Sequence, residues 1–253
     1  MPLDWWLERR LAGRKLLRAF EDVYPQAFFI EIGANDGVEN DPLRPFVTSR
    51  PWSGIMVEPV PHVFERLRRN CAGLDRVALE NAAIAERDGR LPFYNLAWVD
   101  GDEVLYWFDT FGSLSRETAE RTGAAFVPGG QHRVIRTEVP CLSFESLCRK
   151  HGVHSLDLLL IDTEGYDYEI IKRIDFSAHR PRLLIYEHFL LSPGERADCR
   201  KLLHRLRYET MEENRDTWCL DTRPDDRLTR KWHRLSPAIP GHSIHDQRLA
   251  ERS

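Results

Sequence analysis

The chain has 253 residues, of which 42% are hydrophobic and 30% charged, with a net charge of −4. That suits one principal α/β domain, and no apolar run approaches the ~18 residues a membrane span needs. Acids and bases are interspersed without the basic stripe that nucleic-acid binding requires, and the five cysteines (Cys71, Cys141, Cys148, Cys199, Cys219) form neither a CxxC pair nor a zinc-finger spacing with histidine.

The opening, MPLDWWLERRLAGRKLLRAF, places Asp4, Glu8 and several arginines where a secretory signal would carry an apolar core. With the unpaired cysteines, this predicts a cytoplasmic protein. Leu3, Leu7, Leu11, Leu17 and Phe20, with Trp6, recur at near-helical spacing, so residues 1–24 read as an amphipathic helical arm that docks on the body in preference to a partner chain or a membrane surface. Buried strands are expected at AFFIEI (27–32) and SGIMVE (53–58), with a helix at VPHVFERLRRNC (60–71) between the second and third apolar runs. The third run, RVALENAAIAE (76–86), leads through the Asp88-Gly89 turn to an additional strand at GRLPFYNL (89–96). Residues 97–131 are aromatic and glycine-bearing; they read either as a lid over a ligand or as a structural insertion with a small helix at 115–122. FESLCRKHG (144–152) is a helix closed by glycine, followed by the strand LDLLLIDTEG (156–165) and helical spacing in YDYEIIKRI (166–174). A strand at PRLLIYEH (181–188), a helix at 193–207 and short strands at 208–213 and 216–221 complete a domain over 25–222. The remainder, 223–253, is rich in Pro, His and charge and reads as a surface tail.

The stretch FFIEIGANDGVEND ends a strand in an acid and a glycine turn, which lets backbone approach a ligand. Glu58 ends the second strand about 20 residues past the turn, where an acid accepts both ribose hydroxyls. A dinucleotide loop reads GxGxxG, whereas here only Gly33 and Gly37 are present. A cofactor with an amino-acid end fits better, because Glu31 and Asp36 are placed to face its ammonium. S-adenosylmethionine is such a cofactor.

FIEIGANDG (29–37), GIMVEPVPHVFERLRRN (54–70), LENAAIAERDG (79–89), LSFESL (142–147), LDLLLIDTEGYDYEII (156–171) and LLIYEH (183–188), in that order, resemble the FkbM-type methyltransferases, a class I S-adenosylmethionine-dependent family. The resemblance spans roughly 27–190. It implies a three-layer Rossmann-like fold with a seven-stranded, mostly parallel sheet, helices on both faces and an antiparallel strand near the end. It further implies that Glu31, Gly33, Asn35, Asp36 and Gly37 surround the methionine end of the cofactor, Glu58 the ribose and Asn81-Ala82 the adenine edge, with Ser113 closing over it.

In open α/β sheets the ligand lies at the carboxyl ends of the strands, which makes Asp162, Glu164, Glu187 and His188 the candidates for chemistry. Either Asp162 or His188 is a base that takes the acceptor's proton, or the carboxylates and imidazole gather a divalent metal, magnesium or manganese. No metal ligand is assigned. The expected activity is methylation of a hydroxyl on a small molecule, sugar or glycan. The rival readings are a nicotinamide-dependent oxidoreductase, which would share Glu58, and a non-catalytic binding protein on a methyltransferase fold.

Overall fold

The computed structural model describes residues 11–100, 103–126 and 132–235. Its elements in chain order are α1 (Leu11–Val23), β1 (Phe28–Ile32), α2 (Arg44–Ser49), β2 (Ser53–Val57), α3 (Pro61–Asn70), β3 (Val77–Glu80), β4 (Ala83–Ile84), β5 (Gly89–Asp100), β6 (Glu103–Ser113) and α4 (Arg116–Phe126). They continue with β7 (His132–Leu142), α5 (Phe144–Lys150), β8 (Leu158–Ile161), α6 (Asp167–Ile171), β9 (Leu183–Glu187), α7 (Pro193–Arg205), β10 (Tyr208–Glu213), β11 (Asp216–Asp221) and α8 (Arg227–Leu235).

The continuous apolar runs LLLI and LLIYE are buried at every position, as strands covered on both faces must be. They form the middle of a seven-stranded sheet of order β10-β11-β9-β8-β1-β2-β3. The five strands from β9 to β3 are parallel, while β11 runs antiparallel to both β9 and β10. The expected fold class holds. The register pairs Ile32 with Val57 on one side and with Ile161 on the other, so the carboxyl ends of the central strands lie level along one edge.

Successive strand residues point to opposite faces, and the core divides accordingly. One face carries Phe29, Met56, Leu160 and Ile185 against α1, α2, α3 and α8. The other carries Ile32, Val57, Ile161 and Leu184 against α5, α6 and α7. By the same alternation Glu31, Asp162 and Glu187 belong with the first face, at its carboxyl-end edge.

Three expectations are changed or resolved. The surface-tail reading of 223–253 fails over 227–235: α8 buries Leu228 and Trp232 against α1 and the sheet, and Arg182 reaches back to Asp226 and Thr229. Leu228, Trp232 and Leu235 lie four and three residues apart, one stripe of a helix. The segment 97–131 is built, over its described part, into regular structure as the insertion reading has it: β5, β6 and β7 form a second sheet of order β4-β7-β5-β6, with α4 extending the expected short helix to 116–126. Strand β7 is absent from the sequence reading, as is the short helix α2. For the arm, Leu16, Leu17 and Phe20 are buried on the body, while Leu3 and Leu7 lie outside the described residues, as do 127–131 and 236–253.

Candidate active site

The chain leaves β1 through a turn that only particular residues permit. Gly33 has φ +86°, and a Cβ there would meet the Asp162 carbonyl oxygen at 1.8 Å. The Gly33 and Ala34 amides donate to the Val57 carbonyl at 2.9 and 3.0 Å, folding the turn across the end of β2. Asp36 shapes the next bend, its Oδ1 accepting from the Val38 and Glu39 amides at 2.9 and 2.8 Å. Glu58, buried at the end of β2, accepts from the Asn35 amide through Oε2 (3.1 Å) and from the Val60 amide through Oε1 (2.8 Å). One carboxylate thereby fixes the β1 turn to the start of α3.

A cleft opens between these turns and the ends of β8 and β9. It is lined by Glu31, Gly33, Asn35, Glu58 and Ala82 among the expected cofactor residues, and by Asp162, Glu164 and Glu187 among the expected chemical ones. Four cofactor expectations do not reach it. Asp36 builds the turn through Oδ1. Gly37 packs toward Leu67. Asn81 donates through Nδ2 to the Glu58 and Pro59 carbonyls at 2.8 and 3.2 Å, holding the chain as it leaves β2. Ser113 is buried and accepts from the Ser115 amide at 3.2 Å, a local turn; its neighbours Gly112 and Leu114 line the cleft in its place.

The turn after β8 is the second strained point. Glu164 has φ 51° and Gly165 φ 89°, and a Cβ on Gly165 would meet Thr118 Cγ2 at 2.7 Å. Helix α4 therefore packs directly onto this turn, and Arg121 ties it to the Leu190 carbonyl at 2.6 Å. The β6–α4 corner forms one wall of the cleft. Behind the turn, fully buried Asp167 accepts from Thr163 Oγ1 (2.9 Å) and from the Glu187 amide (3.1 Å), joining the ends of β8 and β9.

Asp162, Glu164 and Glu187 bring carboxylate oxygens within 4.8 Å of one another. Asp162 is exposed at the rim and Glu187 is buried at the base. Burial, then the charges of Asp162, Glu164 and Asp167, push Glu187 up to about 11, against the opposing pull of Arg215. Burial and Asp162 likewise hold Glu164 well above the ordinary carboxylate range, and burial with Asp162 raises Asp167 to about 8. Arg215 Nε lies 3.4 Å from Glu187 Oε1, and its guanidinium stacks 4.3 Å over the half-exposed ring of Phe189.

His188 does not join this group. As the neighbour of Glu187 it points to the opposite face, where Nδ1 lies 2.9 Å from Thr217 Oγ1. Burial, reinforced by Arg196, lowers it to about 4. Its part as the base is withdrawn on that geometry.

Two cleft residues escape the sequence reading. Asp41 precedes Pro42, and Asp-Pro is a turn signal, but nothing in the sequence brings it back beside Glu31. Arg215 lies in the β10–β11 hairpin, and its approach to Glu187 follows only from β11 pairing with β9.

The sequence matches the family described as Methyltransferase FkbM domain over residues 31–210. A curated relative, the 2-O-methyltransferase NoeI of Sinorhizobium fredii, is 28% identical over 148 residues, 58% of this chain and 57% of that protein. The matched stretch thus spans little more than half of the relative's length. Among solved structures, the methyltransferase FkbM from Methylobacillus flagellatus shares 12% identity over 77% of this chain and 44% of its own, with a TM-score of 0.49. A methyltransferase from Geobacter sulfurreducens shares 14% over 83% and 77%, with a TM-score of 0.43.

Proposed function

The chain belongs to the FkbM methyltransferase family, and we propose that it transfers a methyl group from S-adenosylmethionine to a hydroxyl oxygen of a small molecule, sugar or glycan. The observation that carries the reading is the single cleft joining Glu31, Gly33, Asn35 and Glu58 to Asp162, Glu164 and Glu187 at the carboxyl ends of four parallel strands. The relative's name, a 2-O-methyltransferase, supports oxygen as the acceptor atom.

The cleft fits the cofactor at both ends. Glu31 is 3% exposed, and among the described residues no donor reaches its Oε2, which suits a cationic ligand group. Glu58 lines the cleft beyond the turn and suits ribose hydroxyls. Ala82 and Val60 offer apolar contact for a base. When bound, S-adenosylmethionine supplies an electrophilic methyl on a sulfonium.

For the acceptor, Asp162 is the exposed member of the acid cluster and takes the hydroxyl proton, while Glu187 stays protonated at neutral pH and is a donor. Arg215 offsets part of the remaining negative charge and, stacked on Phe189, shapes the open side. Three carboxylates are also a donor set for a hard divalent cation; Arg215 already supplies a positive charge there, and we assign no metal. A chelator therefore leaves activity intact, and reversible loss restored by magnesium would replace this account of the cluster.

The family membership and the missing third glycine weigh against a nicotinamide enzyme. All five cysteines are buried and free, which supports the cytoplasmic, reducing setting. No helix among the described residues is long and apolar enough to cross a membrane. The test is incubation with S-adenosylmethionine carrying a deuterated methyl group and a panel of sugars and glycans. A labelled methyl ether is expected by mass spectrometry; no transfer together with no binding of S-adenosylhomocysteine would falsify the reading.

A further inference from the structure

Glu31 and Asp41 arrive at the cleft wall from the end of β1 and from the loop that enters α2. Their side chains are within hydrogen-bonding reach of each other. Glu31 Oε2 and Asp41 Oδ2 are sealed from solvent, and among the described residues no donor reaches either. The other Asp41 oxygen, Oδ1, is held by the Leu43 amide at 2.6 Å, which aims the side chain at Glu31. Two carboxylates in this position cannot both remain ionised without a cation. The Arg44 charge acts on Asp41, but its Nη2 donates to the Asn70 carbonyl at 2.9 Å and its Nη1 lies 4.0 Å from Cys71 Sγ, so it leaves the two sealed oxygens without a donor.

We propose that Asp41 and Glu31 together receive the amino-acid end of the cofactor, sharing one proton in its absence and giving that proton to solvent when the α-ammonium arrives. The inference rests on the S-adenosylmethionine reading above and adds to it a second acid and a proton. The ammonium carries three N–H donors and a positive charge, enough to replace the shared proton and satisfy oxygens on both acids.

The surrounding charges agree with a shared proton. Burial, then Asp41 and Asp162, pushes Glu31 well above the ordinary carboxylate range. Burial raises Asp41 to about 6 against the Leu43 and Arg44 amides and the Arg44 charge, which pull it down. The Cys71 thiol, near both acids, is itself pushed up by burial and carries no charge at neutral pH. The α-ammonium of a free amino-acid end lies beside a carboxylate rather than an amide and is more basic than a chain terminus, so at pH 7 it arrives charged and the pair gives up its proton. Affinity for the cofactor rises with pH through the range in which the pair ionises and falls once the free ammonium deprotonates.

The test is titration calorimetry at pH 7 in two buffers of different ionisation enthalpy. The probes are S-adenosylhomocysteine and 5′-methylthioadenosine, which shares the adenosine thioether but lacks the amino-acid end. The homocysteine ligand should release about one proton, the number shared by a carboxylate pair, and the truncated ligand none. Asp41→Asn keeps an oxygen for the Leu43 amide; it should weaken S-adenosylhomocysteine roughly 10- to 100-fold, the worth of a hydrogen bond between charged groups. It should leave 5′-methylthioadenosine unchanged, which controls for an intact cleft, and any proton still released with S-adenosylhomocysteine then comes from buried Glu31 alone. Equal proton release by both ligands, or an Asp41→Asn variant that weakens both alike or neither, overturns the pair. Failure of the wild-type chain to bind either ligand overturns the cofactor reading, and the pair with it.

Discussion

Two groups of acids lie on the same edge of one sheet, and they are built in opposite ways. Glu31 and Asp41 are packed together, each with a sealed oxygen that no donor reaches among the described residues. Asp162, Glu164 and Glu187 form a cup whose rim is exposed and whose base already holds Arg215 at 3.4 Å from Glu187. A closed pair whose sealed oxygens lack a donor is complementary to one fixed positive group. An open cup with its own cation is suited to a neutral, proton-bearing acceptor that comes and goes. The carbonyl of Asp162, 1.8 Å from where a Gly33 Cβ would be, is where the two halves touch.

That contact is the point at which the comparison breaks most completely. Gly33→Val adds a branched side chain at φ +86° into a backbone carbonyl. The left-handed backbone and the overpacking together should cost roughly 2–6 kcal/mol, read by urea unfolding, with loss of cofactor binding and of transfer. A variant as stable as wild type would mean that the turn yields and the halves are not in rigid contact.

Asp162→Asn should separate the halves. Removing a general base costs about 10²–10⁴ in rate, whereas the acid pair is left in place, so kcat should fall by that factor while S-adenosylhomocysteine binds as before. Retained turnover would move the proton acceptor elsewhere; a matching loss of cofactor affinity would show the two groups to be one.

Asp167 tests what holds the cup. Asp167→Ala leaves the buried Glu187 amide and Thr163 hydroxyl without their acceptor and should cost about 1–3 kcal/mol of stability. Asp167→Asn keeps an oxygen for the amide and should cost much less, because burial already raises this acid to about 8 and it is largely uncharged near neutral pH. Equal losses in the two variants would make its charge, rather than its hydrogen bonds, the stabilising element.

Much of this edge was legible in the sequence because it depends on order along the strands. The apolar runs ending in Glu31, Glu58, Asp162 and Glu187 define level strand ends, and the left-handed turn residues follow them directly. Asp41 and Arg215 were not legible, since each meets its partner across more than one element. The helix α8 was legible in principle: its Leu228, Trp232 and Leu235 stripe was outweighed by the charged and proline-rich composition around it. Strand β7 carries exposed charges at Arg133, Arg136 and Glu138 and a proline at 140, which argues against a strand; pairing with β5 along ten residues overrides that preference. His188 is the most instructive miss. Glu187 and His188 are adjacent on a strand, so only one of them can face the cleft, and alternation from Ile185 selects the glutamate.

His188 accordingly yields the smallest effect on chemistry and a distinct effect on stability. Its folded pKa, lowered to about 4 by burial and Arg196, lies below the ~6.5 of an exposed histidine. The folded state therefore binds fewer protons than the unfolded one. The stabilisation is fully present above about pH 6.5 and is lost as pH falls toward 4. Replacing the ring by an amide that still bonds Thr217, His188→Gln, should flatten that part of the stability profile measured by urea unfolding between pH 4 and 7. Transfer at pH 7 should stay close to wild type, with an unchanged pH profile, because the side chain lies on the face away from the cleft. A large fall in kcat with S-adenosylhomocysteine affinity retained would return the histidine to the reaction and make the acid cup a bystander.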